Sequence, residues 1–329
     1  MRIVVDSMGG DNAPFVTVRG AVEAVNEYNL SIILTGDKGR IEGELSKYNY
    51  PKERIEVNHA SEIIEMDESP AISVRRKKDS SINVGINLLR EKKADAFVSA
   101  GNTGAVACAS VLMLGLLKGI ERPAIAVIMP NLIDVSLLID VGANIDPKPE
   151  HLYQYAIMGT IYFEHILNKT QPKVGLLNVG EEETKGTDFL KESYRLLQSS
   201  KINFIGNVEG RDIFTGKSDV IVCDGLVGNV VLKVSESLAE TMSKLLKREL
   251  KRNFFTRIGA FLSIPAFMTL KKKIDYSEYG GAPLLGVDGI CIISHGHSSS
   301  KAIKNAIRVA CEFVSHRINE KIVEAITAQ

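Results

Sequence analysis

Arg2-Ile3-Val4-Val5-Asp6-Ser7-Met8-Gly9-Gly10-Asp11-Asn12-Ala13-Pro14 decides how this chain is read. Its first five residues are a short β-branched apolar run, the pattern of a buried strand. Adjacent Gly9 and Gly10 allow backbone angles that a side chain forbids. Asp11 or Asn12 is placed to cap a helix, and Pro14 suits a first helical turn. Strand, glycine turn and helix make the repeating unit of open α/β folds, which bind ligands beyond the carboxyl ends of their strands. An ordinary βα connection has the same pattern, so both readings stand at this point.

The unit recurs along the chain. Apolar runs at 31–36, 54–57, 96–100, 123–129, 135–141, 173–178, 202–208 and 219–224 read as strands. Helical patterns lie between most of them, including 82–92, 106–117, 151–167 and 188–198. This alternation predicts a three-layer αβα fold with a mostly parallel sheet, as one domain over residues 1–329. Two further strand–glycine–helix junctions follow the first: Gly101-Asn102-Thr103-Gly104 and Asp224-Gly225-Leu226-Val227-Gly228-Asn229. Free N–H groups at such helix starts favour anions. Neither junction has the Gly-Lys-Ser/Thr ending of a Walker loop. Residues 235–279 break the rhythm and read as a protruding helical hairpin, and 301–325 reads as one final helix.

Composition removes several classes. Lys+Arg 40 against Asp+Glu 40 leaves no net charge, which argues against a nucleic-acid-binding protein. Cys108, Cys223, Cys291 and Cys311 form no Cys-x-x-Cys pair and read as small buried residues in a reducing compartment. No signal peptide and no bilayer-spanning apolar run is seen, so the expectation is a cytoplasmic protein.

Individual residues stand out against this background. Asp140 sits in an apolar strand and is expected to orient backbone around the Gly142 turn. Glu181-Glu182-Glu183-Thr184-Lys185 follows a strand end; it reads either as a solvated loop or as Lys185 reaching back to an anion. Asn229 reads as a cap or as an amide donor. Arg75-Arg76-Lys77-Lys78 reads by charge alone as a solvated helix end. Phe254, Phe255, Ile258, Phe261, Leu262 and Phe267, flanked by Lys247, Arg248 and Lys271-Lys272-Lys273, suit either a membrane surface or a dimer interface. His295-Gly296-His297 has no third ligand nearby and is read without metal.

The wording of the opening stretch closely resembles the start of the PlsX-type phosphate acyltransferases, with Ser7 in place of an alanine. Family-like blocks continue in order through Ser99-Ala100-Gly101-Asn102-Thr103-Gly104, Asp140-Val141-Gly142-Ala143-Asn144, Leu177-Asn178-Val179-Gly180, Lys185-Gly186, Gly206-Asn207-Val208-Glu209, Gly228-Asn229-Val230 and Tyr279-Gly280-Gly281-Ala282. The resemblance implies the fold of phosphotransacetylase and the isocitrate/isopropylmalate dehydrogenases. It implies a homodimer that moves a fatty acyl chain from acyl carrier protein to inorganic phosphate, giving acyl phosphate for phospholipid synthesis. No metal or organic cofactor is implied. By this resemblance Lys185 and Asn229 are catalytic. Asp6, Gly9, Gly10, Asp11, Gly101, Asn102, Thr103, Gly104, Asp224, Gly225 and Gly228 bind phosphate and the acyl thioester. Arg75, Arg76, Lys77, Lys78, Lys271, Lys272 and Lys273 are candidates for docking the acidic carrier. The apolar tip would meet an anionic membrane and pass product to a membrane glycerol-3-phosphate acyltransferase. His297 departs from the family pattern and is left out of the site.

Overall fold

The computed structural model describes residues 1–274 and 279–328, with side chains described up to residue 269 and again from residue 279. In chain order the elements are β1 (Arg2–Asp6), α1 (Phe15–Glu27), β2 (Ser31–Gly36), α2 (Lys38–Leu45), β3 (Ile55–His59), α3 (Pro70–Arg76), α4 (Ser81–Arg90), β4 (Ala96–Ser99), α5 (Thr103–Met113), β5 (Ala124–Pro130), β6 (Val135–Ile139), α6 (Pro149–Ile166), β7 (Val174–Leu177), α7 (Asp188–Gln198), β8 (Phe204–Val208), β9 (Val220–Val222), α8 (Gly225–Leu250), α9 (Phe254–Leu262), α10 (Ile264–Ile274), β10 (Ala282–Leu285), β11 (Cys291–Ile293), α11 (Ser300–Ser315) and α12 (Ile318–Thr327). Among the described residues the strands form one sheet of eleven, ordered β3-β2-β1-β4-β11-β10-β5-β6-β9-β7-β8.

Burial explains the composition of the strands. Ile3, Val4, Val5, Phe97, Val98, Leu137, Leu138 and Val222 have no exposed surface, because helices cover both faces. One apolar core lies under α1, α2, α6, α7, α11 and α12, and the other lies under α3, α4, α5 and the start of α8.

Pairing directions place the site. β1 to β4 and β11 run parallel; β10 is antiparallel to both β11 and β5, and β5 is antiparallel to β6. β6, β9, β7 and β8 are again parallel to one another. The two parallel blocks therefore point in opposite senses. The carboxyl ends of β1, β4 and β11 lie along one edge of the sheet, and those of β6, β9 and β7 along the other.

Four local expectations need correction. Neither Asp11 nor Asn12 caps α1, whose N-cap is Pro14 with no side-chain bond. The segment 301–325 is two helices, because Arg317 takes a left-handed conformation (φ 53°) between α11 and α12. The helical segment expected to open at residue 235 starts earlier, since α8 already begins at Gly225 and continues without interruption to Leu250. At 1.5 Å per residue those 26 residues span about 39 Å. Only Gly225 and Gly228 of α8 are buried, and Val234, Leu238 and Met242 are exposed farther along. Asn229 is not a cap; Asp224 is, accepting from the Val227 N–H at 2.8 Å.

Candidate active site

At the first sheet edge, Asp6 ties two glycine loops together. Its carboxylate accepts from the Met8 N–H at 3.1 Å and from the Ser99 hydroxyl at 2.7 Å, and that hydroxyl accepts the Gly101 N–H at 3.0 Å. Burial pushes the Asp6 carboxyl up, against these donors, which favour the charged form. A Cβ on Gly9 would stand 2.5 Å from the Gly101 nitrogen, so the loops touch backbone to backbone. Gly10, in the left-handed region at φ 94°, packs on the Gly296 carbonyl, which accepts the Asp11 N–H at 2.9 Å. Asn102 spends its side chain on structure. Its Oδ1 caps α5 at the Ala105 N–H, and its Nδ2 donates to the carbonyls of Glu65, Met66 and Glu68. Thr103 lies exposed at the start of α5, and a Cβ on Gly104 would stand 2.6 Å from the Pro70 ring.

The loop after β11 completes this edge, and the sequence reading missed it. The Nδ1 of His297, set aside above, contacts the Asp11 carboxylate. The hydroxyls of Ser294 and Ser298 are buried with no hydrogen-bond partner among the described residues.

At the other edge, Asp140 organises the ends of β6 and β9. Four backbone N–H groups donate to it: Ile125 at 2.9 Å, Gly142 at 3.1 Å, Ala143 at 3.0 Å and Asn144 at 2.7 Å. Burial pushes this carboxyl up, and the four donors act in the opposite sense. The expected role at the Gly142 turn is what the geometry shows. α8 starts directly on this turn: the Gly225 N–H donates to the Asn144 carbonyl at 2.8 Å, and the Cys223 thiol donates to the Asp140 carbonyl. Asn229 follows one turn later. Its side chain is exposed, stands beside Gly142, and has no hydrogen-bond partner among the described residues.

Lys185 lies on the loop after β7, the strand next to β9. Its ammonium forms no ion pair among the described residues despite the three adjacent acids. Glu181 instead pairs with Lys217 at 2.9 Å and with Arg211 at 3.7 Å. A cation and an amide, both without side-chain partners among the described residues, therefore stand on the segments that follow neighbouring strands β7 and β9.

α8 connects the two edges. Its Lys233 and Glu236 act electrostatically on His295, whose pKa burial lowers. Glu236 is seven residues beyond Asn229, about 10 Å along the helix axis. The three glycine junctions thus form two loop clusters bridged by one helix.

The sequence and fold match known proteins. A family model described as "Fatty acid synthesis protein" matches residues 1–321. A phosphate acyltransferase from Alkaliphilus oremlandii is 54% identical over 328 residues, covering 100% of this chain and 98% of its own. One from Dictyoglomus turgidum is 52% identical over 328 residues, at 99% and 98% coverage. The chain belongs to the PlsX-type phosphate acyltransferase family. It is accordingly an acyltransferase. Among solved structures, a phosphotransacetylase from Streptococcus pyogenes superposes with a TM-score of 0.63 at 17% identity, covering 99% of this chain and 94% of its own. A 4-hydroxythreonine-4-phosphate dehydrogenase from Klebsiella pneumoniae gives 0.56 at 11% identity, covering 95% and 99%. These likenesses show the fold, which is the one the family resemblance implied.

The remaining acyltransferase candidates separate cleanly. Lys77 is a structural staple, bound to Glu68 at 2.5 Å and to the Ile63 carbonyl at 2.6 Å. Arg75, Arg76 and Lys78 are exposed, and Arg75 and Lys78 stand on the rim of a groove lined by Val74, Leu88, Leu112 and Met113. The side chains of Lys271, Lys272 and Lys273 lie outside the described residues. Phe254, Phe255, Ile258, Phe261 and Leu262 are exposed, up to 83% for Phe255, while Phe267 is half-buried. No helix among the described residues is long and apolar enough to cross a membrane.

Proposed function

We propose that this acyltransferase moves a fatty acyl group from the thioester of acyl carrier protein to inorganic phosphate. The observation that carries the reading is an unpaired Lys185 ammonium and an unpaired Asn229 amide, on the segments that follow the adjacent strands β7 and β9, in a phosphate acyltransferase chain. Phosphate is itself the nucleophile, so no covalent enzyme intermediate is needed. The protein has to gather an anion and a neutral thioester, then stabilise the oxyanion that forms. Lys185 supplies charge to phosphate or to that oxyanion, and Asn229 supplies a second donor. The glycine turn from Gly225 to Gly228, packed on the Asp140 turn, fixes the backbone under Asn229. The carbon–sulfur bond breaks, the carbon–oxygen bond to phosphate forms, and the carrier leaves as its thiol, its thiolate taking up the proton that hydrogen phosphate loses. The acyl phosphate would feed phospholipid synthesis.

The test is release of free thiol from palmitoyl-acyl carrier protein with and without phosphate. Phosphate-dependent release, with acyl phosphate trapped by hydroxylamine, supports the reading. Phosphate-independent release or none, from folded protein, overturns it. Faster turnover of acetyl-CoA would instead favour a short-chain phosphotransacylase.

An acidic carrier needs a basic face on a chain of zero net charge. Arg75 and Lys78 provide it at the groove rim. Arg75→Glu with Lys78→Glu is expected to raise KM for the carrier substrate severalfold and leave KM for phosphate unchanged. Equal changes in both would remove this face from the docking site. The exposed phenylalanines of α9 are proposed to rest on an anionic membrane, delivering acyl phosphate to a membrane acyltransferase, with α8 and α9 also available to a second copy in a homodimer. Replacing Phe254, Phe255 and Phe261 by Ser is expected to abolish co-sedimentation with anionic liposomes. Unchanged liposome binding, with loss of the dimer, would assign the tip to the dimer alone.

A further inference from the structure

We propose that Asn207, together with Asn178, is a positioning residue that holds Lys185 at the reaction centre. This inference rests on the catalytic reading of Lys185 given above.

The loop from Val179 to Gly186 is polar and exposed, and it carries no regular structure that would fix a lysine. Two buried side-chain amides supply the order instead. Asn178, just past β7, accepts the Val179 N–H at 2.8 Å and donates to the Lys185 carbonyl at 3.2 Å. One side chain thus grips both ends of the loop. Asn207 of β8 donates to the Glu182 carbonyl at 2.9 Å, and the same carbonyl accepts the Lys185 N–H at 3.1 Å. The Glu182 carbonyl is the hinge point of the loop, fixed from outside by Asn207 and tied from inside to Lys185.

Local sequence makes this clamp possible. Gly186 is left-handed at φ 84°, and a Cβ there would stand 2.6 Å from the Asn178 Oδ1. The β7–β8 register shifts between Val174 and Leu176, and Gly206 takes φ 96° immediately before Asn207. Such irregularities re-aim the side chain that follows. Asn207 is 3% exposed, and its Oδ1 has no hydrogen-bond partner among the described residues. Burying an amide with an empty acceptor is costly in a residue chosen for stability alone. Placing its Nδ2 on the Lys185 loop accounts for the choice.

The experiment compares Asn207→Asp and Asn178→Asp, which keep side-chain size and remove the donating N–H₂. Both are assayed with palmitoyl-acyl carrier protein and phosphate, alone and combined with Lys185→Ala. Displacing a catalytic group by about an ångström costs on the order of a hundredfold, so kcat is expected to fall by that order while both KM values hold. In the Lys185→Ala background the same substitutions are expected to cost almost nothing further, because their effect acts through Lys185. Thermal melting separates this from general damage; should Asn207→Asp not fold, Asn178→Asp carries the test. Unchanged kcat in a folded variant, or losses that multiply fully with Lys185→Ala, overturn the clamp while leaving the Lys185 reading intact. Wild-type turnover in Lys185→Ala itself overturns both.

Discussion

Gly228→Ala is expected to destabilise the native fold severely. A Cβ at this position falls directly on the Asp140 carbonyl oxygen, with the Cys223 sulfur at 2.9 Å on another side. Neither neighbour can move freely. The Asp140 carbonyl accepts the Cys223 thiol, and its side chain holds four backbone N–H groups of the adjacent turn. Moving α8 outward would also break the bond from the Gly225 N–H to the Asn144 carbonyl. The expected loss is about 4 kcal/mol or more, in the range reserved for backbone clashes and broken buried networks. Urea unfolding monitored by far-UV circular dichroism checks it. A variant within about 1 kcal/mol of wild type, an ordinary surface value, would mean that α8 is free to shift on β6.

This junction shows how far the sequence could be read. The strand runs, the alternation and the glycine turns were legible because side-chain periodicity and glycine chemistry are local properties. The helix 188–198 matched its expected bounds, since Thr187 caps it and Leu197 turns inward. Asp140 was legible too, because a carboxylate inside an apolar strand demands donors. The opposed sense of the two parallel blocks was not legible. It comes from the antiparallel β5–β6 pair, because β10 is antiparallel to both β11 and β5 and leaves those two strands in the same sense; strand runs alone do not say where in a mostly parallel sheet that reversal falls. The three glycine junctions therefore read as equivalent in sequence, yet they occupy two sheet edges.

The same limit applied to individual side chains. Four consecutive cations look alike in a sequence; only packing reveals that Lys77 turns inward to Glu68 while Arg75 and Lys78 stay free. Asn102 was assigned to binding, yet its amide is consumed by α5 and by the 65–68 loop. His297 departs from the family pattern, yet its imidazole meets the Asp11 carboxylate across 286 residues of chain. Such pairings are long-range and leave no periodic trace.

Lys185→Ala is expected to lower kcat for phosphate-dependent thiol release by a hundred- to a thousandfold, roughly the cost of losing one donor to a developing oxyanion. The KM pattern carries the mechanism. If the ammonium acts on charge that appears only in the transition state, KM for both substrates stays near wild type and kcat takes the whole loss. If it instead binds ground-state phosphate, KM for phosphate rises and kcat recovers at saturation. Lys185→Arg separates charge from reach, since guanidinium keeps the charge but spreads it over a planar fork. Asn229→Ala is the companion measurement, because the exposed amide beside Gly142 has no structural bond to lose. Its melting temperature is expected to match wild type while kcat falls. A folded Lys185→Ala enzyme with near-normal kcat would remove the lysine from the chemistry and leave Asn229 as the donor to test next.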